Sequence, residues 1–487
     1  MAERLKPLRG NGAKLLKLVI EAQDTQTLEQ ALELGHALGQ PAEGLLDGVE
    51  VTAGGELLLS SRFRGTQASQ PALNLLLMQQ LSIALEDTPA AKLRSSIRHL
   101  DLASPIAPPL KGFDGLETLS VSMLDGAHWK DLSSWGPFNA LRMFSLTHGN
   151  SKDHPCTLDA LDGLIAPNLA SVYLAGLGLT SVDALSASSC LSDVNLSDNA
   201  GLKSVGGLKT SATSLETLNL EACTALSSIQ ALEGAISLQT LNLKDCAALR
   251  SLQPLSASQN LSKINLEGCA KLKSLEGLAA TKLEPWRHGI FSFEGCTELV
   301  NLRGLSALSN EIKTLYLQQM PSLVSLEGIE AASSLETLDI ENTALTNLRG
   351  IEHLLSLEDL TLNDCNQLQD ISELGQLHAL KHVHSYDCSQ LKLLPSTWGP
   401  MLRRLEFNAG NFSALGELPE VLEEIEVRGV ATLLNLKGLE KSTSLTVVAV
   451  DPFLKDATAM QGLPNAYFRC FEATANPVTP AWLQSVA

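Results

Sequence analysis

The chain has 487 residues, of which 44% are hydrophobic and only 4% aromatic, and its formal net charge is −19. That composition favours an aliphatic core repeated many times over a few aromatic-centred globules. It disfavours nucleic acid and anionic membrane as partners, because binding to phosphate-rich surfaces is driven by Lys and Arg.

The N-terminal stretch mixes Glu3, Arg4, Lys6, Arg9, Lys14 and Lys17 and offers no apolar core for a secretory signal. Nowhere do about 18 apolar residues run together, so no membrane span is expected. Nine cysteines in so large a chain read as reduced thiols, and the expected compartment is the cytoplasm. Residues 1–96 read as a small α+β N-terminal cap. Leu28, Ala31, Leu32 and His36 follow helical spacing, Val49 to Phe63 alternates around Gly54 and Gly55 as a hairpin, and Leu73 to Leu85 is again helical.

From residue 97 the chain repeats itself. Segments starting at Leu215, Leu238 and Leu261 read LETLNLEACTALSSIQAL, LQTLNLKDCAALRSLQPL and LSKINLEGCAKLKSLEGL, which share the template L-x-x-L-x-L-x-x-C-x-x-L-x-x-L-x-x-L. Carried both ways, the register gives sixteen repeats, starting at Ile97, Leu116, Leu141, Leu169, Leu191, Leu215, Leu238, Leu261, His288, Ile312, Leu335, Leu357, Leu380, Leu402, Leu422 and Leu445. Of the 48 positions that should hold their first three apolar residues, only His288 and Ser385 are polar. Within L-x-L the two leucines point to one side of a strand, so Leu218 and Leu220 go inward while Thr217, Asn219 and Glu221 face out. About ten residues remain to return to the next strand, enough only for turns or 3₁₀ pieces.

This pattern resembles the leucine-rich-repeat superfamily, in its short class of about 22 to 24 residues per repeat, with a bacterial look. The stretch from 28 to 51 is similar to short helical segments that precede repeats in some bacterial proteins. The expected fold class is α/β: a leucine-rich-repeat solenoid over 97–450, with a parallel β-sheet on the concave face and short turns or 3₁₀ segments on the convex face. One sheet is expected throughout. Residues 451–487, with Pro452, Pro464, Pro477 and Pro480, are expected to cap the last strand. Cys223, Cys246, Cys269, Cys296, Cys365 and Cys388 share one template position with Asn199, where the superfamily carries a buried ladder bonded to backbone. A small buried side chain with a weak S–H donor suits that role.

No catalytic residue is expected. P-loop, nucleophile-elbow and dinucleotide signatures are absent. Bacterial leucine-rich-repeat ubiquitin ligases place a nucleophilic Cys in a separate helical domain, but residues 1–96 contain no Cys, and Cys470 lies in a tail of only 37 residues. No cofactor and no metal are expected, although His382 and His384 project from one strand at a spacing of about 7 Å.

Template positions 2, 4, 6 and 7, counting the first Leu as zero, hold sixteen acidic residues against Lys244, Lys263, Arg404 and Arg428. This strip predicts a protein partner with a basic or mixed polar surface. Candidate binding residues are Tyr173, Glu294, Tyr316, Asp339, Glu341, His382, His384, Tyr386 and Arg404 on the strands. Insertions after the strands of the second and third repeats add His128, Trp129, Lys130, His148 and His154 on one rim, whereas the extra residues at Glu284-Pro285-Trp286-Arg287 are placed on the return side. The expected function is a non-enzymatic binding, adaptor or sensor module. A translocated bacterial effector using the same surface inside a host is the alternative.

Overall fold

A computed structural model describes residues 10–21, 25–42, 45–47, 49–59, 70–124, 126–148, 156–278, 283–286, 289–305, 311–450 and 467–470. The chain divides into two compact units, Met1–Leu241 and Asn242–Ala487.

The first unit opens with helices α1 (Gly10–Glu21) and α2 (Thr25–Ala37), a hairpin of β1 (Val49–Val51) and β2 (Leu57–Leu59), and helices α3 (Gln70–Ser82) and α4 (Pro89–Ser96). The two helices read from periodicity are α2 and α3. Their apolar faces, Leu28, Ala31 and Leu32 on one and Leu73, Leu76, Leu77 and Leu81 on the other, are buried together with Leu15, Leu16 and Val19 of α1. Helix α4 was not expected; Thr88 caps it, its side chain accepting from the Ala91 amide at 3.2 Å, and Pro89 fills the first turn, where no amide is needed. The far end of the expected hairpin, residues 60–63, lies outside the described residues.

Strands then follow at one per repeat: β3 (His99–Ser104), β4 (Thr118–Met123), β6 (Met143–His148), β8 (Ser171–Tyr173), β9 (Asp193–Asn195), β10 (Thr217–Asn219) and β11 (Thr240–Asn242). From β3 to β10 each pairs in parallel with the next in this order. The insertions after β4 and β6 supply β5 (His128–Trp129) and β7 (Thr157–Leu158), which pair with each other as a separate two-stranded sheet.

In the second unit β12 (Lys263–Asn265) is followed by β13 (Ile290–Ser292), β14 (Thr314–Met320), β15 (Thr337–Thr343), β16 (Asp359–Asn363), β17 (His382–Tyr386), β18 (Arg404–Asn408), β19 (Glu424–Arg428), β20 (Val447–Val450) and β21 (Tyr467–Cys470). Strands β13 to β21 form one parallel sheet in chain order. The last pairing, β20 with β21, extends the ladder into the proline-rich tail, the rest of which lies outside the described residues. The expectation of one uninterrupted sheet is corrected here: β12 and β13 end separate sheets and do not pair. The cause is visible in the spacing, since the repeat starting at Leu261 carries the insertion around Trp286 before its successor begins. Hydrogen bonding resumes just beyond the strands, where the Gly268 amide donates to the Glu294 carbonyl at 2.8 Å.

Inward leucines behave as the template requires: Leu218 and Leu220 in the first unit, and Leu315, Leu317, Leu338, Leu360 and Leu405 in the second, are fully buried. Ser385, one of the two polar exceptions, is also fully buried; His288 lies outside the described residues. Return segments are 3₁₀ turns, among them Gly206–Ser211, Gln253–Ala257, Ile329–Ala332 and Ser372–Gln376. Gly328 enters one of these at φ 103°, and a Cβ there would stand 2.2 Å from the Leu302 carbonyl oxygen, so both backbone and space demand glycine.

The cysteine column is a buried ladder with a fixed direction. Each of its six members is buried. Cys223 donates to the Leu196 carbonyl at 3.3 Å, Cys269 to Leu243 at 3.2 Å, Cys296 to Leu266 at 3.1 Å, Cys365 to Ile340 at 3.6 Å and Cys388 to Leu362 at 3.9 Å. These acceptors are the last inward strand residues of the preceding repeats; Cys365 and Cys388 also donate within their own repeats, to the Asn363 and Tyr386 carbonyls at 3.4 Å. Asn199 fills the same place with more bonds: its amide donates to the Leu174 and Leu196 carbonyls at 2.8 Å, and its oxygen accepts from the Leu177 and Leu179 amides.

Candidate functional site

Parallel pairing in register turns each outward template position into a row across neighbouring strands, about 4.8 Å apart. In the second unit one row runs Ser292, Tyr316, Asp339, Thr361, His384, Glu406, Glu426, and the row beside it runs Gln318, Glu341, Asn363, Tyr386, Asn408, Arg428. A third row holds Thr337, Asp359, His382, Arg404 and Glu424. The candidates Tyr316, Asp339, Glu341, His382, His384, Tyr386 and Arg404 are thereby brought onto one face.

These side chains are tied to one another. His384 Nδ1 lies 2.9 Å from Glu406, whose side chain is only 13% exposed, and Arg404 reaches Glu406 at 3.7 Å and Glu424 at 3.2 Å. The Tyr386 phenol is held above its usual range, first by burial and then by its hydrogen bond with Glu406. Its ring stacks on that of His384, with centroids 6.3 Å apart and planes 7° apart. His382 turns instead to Asp359. The two imidazoles thus engage different carboxylates, and among the described residues no group of three or more His, Cys, Asp or Glu side chains is placed to hold a metal. Further along, Gln318 donates to Asp339 at 2.8 Å and Gln319 to Glu341 at 3.2 Å. Burial is the main cause that raises the Asp339 carboxyl above the ordinary carboxylate range; the Gln318 bond opposes it, and the nearby Glu341 adds to it.

Part of the acidic strip has another explanation. Asp198, Asp245, Asp364 and Asp387 all stand at template position 7 with positive φ between 50° and 59°, where other repeats use Gly268, Gly295 and Gly429. Asp tolerates the left-handed region better than most residues, so these acids are chosen by the turn. The asparagine column is likewise internal: Asn195, Asn219, Asn242 and Asn265 accept from the amides of Ser197, Glu221, Lys244 and Glu267.

In the first unit, Tyr173 is partly exposed and donates to Asp193, which raises its phenol. A cavity of about 470 Å³ is lined there by Tyr173, His148, Met143 and Asn195. His128 and Lys130 are exposed; His128 meets Thr157 at 2.7 Å and Asp159 at 3.5 Å. His154 lies outside the described residues. Trp129 requires correction: it is 2% exposed and its indole donates to the Pro105 carbonyl at 3.1 Å, so it is buried and offers no surface anchor.

The insertion at 284–287 is the second correction. Trp286 is on the strand side, not the return side, lining a cavity of about 210 Å³ with Glu267, Glu294 and Tyr316. Leu283, fully buried, and the Glu284 amide, which donates to the Ser262 carbonyl at 2.8 Å, moor the segment at the start of β12. The four extra residues in that repeat were the available signal; the side on which they emerge was not encoded in the template.

No protein-family model matches the chain. A curated disease resistance protein of Arabidopsis thaliana, RPS4B, is 25% identical over 181 residues, which cover 36% of this chain. The match spans 15% of that protein's length. Among solved structures, an internalin (inlF) from Listeria monocytogenes is 16% identical, covering 82% of this chain and 93% of its own, with a TM-score of 0.32. The functional domain of InlJ from Listeria monocytogenes, described as including a cysteine ladder, is 15% identical over 77% of this chain and 72% of its own, at 0.37. The Toll–Spatzle complex of Drosophila in its glycosylated form is 16% identical over 82% of this chain and 59% of that one, at 0.41. The leucine-rich-repeat fold of this chain stands on its own repeat register, strand ladder and 3₁₀ returns.

Proposed function

We propose that this leucine-rich-repeat protein is a non-enzymatic protein-recognition module whose partner lies across the outer face of strands β14 to β19. The observation that carries this reading is the mutual fixing of His384, Tyr386, Glu406 and Arg404, which presents an aromatic, an imidazole and both charge signs at set places while leaving them partly open to water. Interfaces favour such rigid amphipathic anchors over catalysis-like convergence on one reacting atom. A partner of basic or mixed polar surface suits the carboxylates Asp339 and Glu341, which accept from the neutral side chains of Gln318 and Gln319. The chain's net charge of −19 argues against nucleic acid and anionic membrane. Eight described cysteines are free thiols, which fits work in a reducing compartment such as the cytoplasm.

The test is photocrosslinking in lysate with benzoylphenylalanine at position 361 or 363 on the strand face, compared with position 273 on the return side. Protein adducts from the strand positions and none from 273 are expected. Adducts confined to 273, or adducts to nucleic acid alone, would overturn the reading.

A further inference from the structure

We infer that the break between β12 and β13 is an anchor pocket for a single arginine side chain of the protein partner, an inference that rests on the recognition reading above. From β13 to β21 every neighbouring pair is bridged by backbone, which leaves no way between strands. At the break the inward residues Ile264 and Phe291 line a cavity of about 210 Å³ and give it an apolar floor, while Trp286 and Tyr316 contribute aromatic surface. The volume is below the roughly 300–1,000 Å³ of small-molecule sites and suits one side chain.

The charges select its kind. Glu267 is already paired with Lys244 at 3.0 Å, whereas among the described residues no ion pair engages Glu294, whose side of the pocket is exposed. The described lining residues thus hold one carboxylate in excess beside two aromatic rings over an apolar floor. A guanidinium matches this set better than an ammonium: it is planar, weakly hydrated, stacks on aromatic faces and still forks onto a carboxylate, with its methylene stem lying on the apolar part. Trp286 is held in place by the moorings at Leu283 and Glu284, so the aromatic wall exists before a partner arrives.

The probe is acetyl-Gly-Arg-Gly-amide, titrated into the full chain and followed by tryptophan fluorescence and ligand-observed NMR, against its neutral citrulline analogue. Saturable binding of the arginine peptide, at least about tenfold tighter than the analogue, is expected; Trp286→Ala and Glu294→Gln should each weaken it about 5- to 30-fold. Glu294 is exposed, so Glu294→Gln keeps the test decisive if Trp286→Ala fails to fold. Equal binding of the two peptides, or unchanged binding by a folded Glu294→Gln chain, overturns the pocket. If adducts from position 361 persist in that case, only the pocket falls. If the parent yields no adduct from the strand face, the recognition reading falls, and the peptide titration still decides the pocket.

Discussion

His384 and Tyr386 stand two residues apart on one strand, yet their rings lie parallel within 7° and both converge on the carboxylate of Glu406 in the neighbouring strand. Such a cluster is rigid before any partner arrives, so little side-chain entropy remains to be lost on binding. Replacing Tyr316 and Tyr386 by Ala should weaken binding of the crosslinked partner by about 1–3 kcal/mol each and leave the melting temperature nearly unchanged. Calorimetry at two salt concentrations checks this, and affinity should fall as salt rises. Unaltered affinity would move the interface off β14 to β19.

Asp339 supplies a pH test. Its folded-state carboxyl is raised above the ordinary value chiefly by burial. The native state therefore binds the proton more tightly than the unfolded chain, and this group's contribution to stability declines as pH rises through its folded value. Asp339→Asn, which keeps an acceptor for Gln318, should raise the melting temperature at pH 7, and the difference should shrink to nothing below the unfolded carboxyl value. A variant that melts lower than the parent at pH 7 would show that the charge is favourable where it stands.

The ladder thiols should be slow to alkylate. Burial pushes Cys223 up to about 11 and Cys296 up to about 12, and in the buried Cys365–Cys388 pair a shared hydrogen bond raises Cys365 and lowers Cys388. Only thiolate reacts, so at pH 8 Cys223, Cys296 and Cys365 present almost none, while Cys388 is kept from the reagent by its burial alone. Among the described cysteines, Cys190 alone is exposed. Residue-resolved mass spectrometry after brief iodoacetamide treatment should find Cys190 modified and the ladder intact. Ladder labelling at the Cys190 rate in native buffer would contradict the burial.

Asn199 should be costlier to lose than any one ladder thiol. Asn199→Ala strips the partner from two buried amides and from the Leu174 carbonyl, while the Leu196 carbonyl keeps Cys223, so a loss of about 3 kcal/mol is expected from unsatisfied groups at roughly 1–3 kcal/mol each. Asn199→Cys restores one donor and should recover part of that. Denaturant unfolding monitored at the first unit measures both.

Inward leucines and the cysteine column were legible because parallel stacking leaves those positions no freedom: a polar residue at 218 or 338 has nowhere to find a partner. Strand faces could be assigned for the same reason, since period two fixes which side each residue takes. Charge on that face was less legible. Asp198, Asp245, Asp364 and Asp387 look like an electrostatic signal until φ is known, although their alternation with Gly268, Gly295 and Gly429 in the same column already hinted at backbone. Trp129 and Trp286 were both misplaced, in opposite senses. Each sits in an insertion, where the template says only that residues leave the register, and their destinations are set by which cavity a large ring can fill.

The direction of the ladder bonds makes the array asymmetric to trimming. Cys223, Cys269, Cys296, Cys365 and Cys388 each donate to a carbonyl of the repeat before, and Cys365 and Cys388 also to one of their own repeat, at Asn363 and Tyr386. Ending the chain after a repeat leaves every remaining S–H with its acceptor. Starting the chain at the repeat of Cys223, Cys269 or Cys296 strands the first S–H in an apolar interior, whereas Cys365 and Cys388 keep an acceptor in their own repeat. Shortened versions cut from the C-terminal side should therefore be the sounder building blocks, and a fragment that must begin at the repeat of Cys223, Cys269 or Cys296 needs a small apolar residue, such as Ala, at its first ladder position.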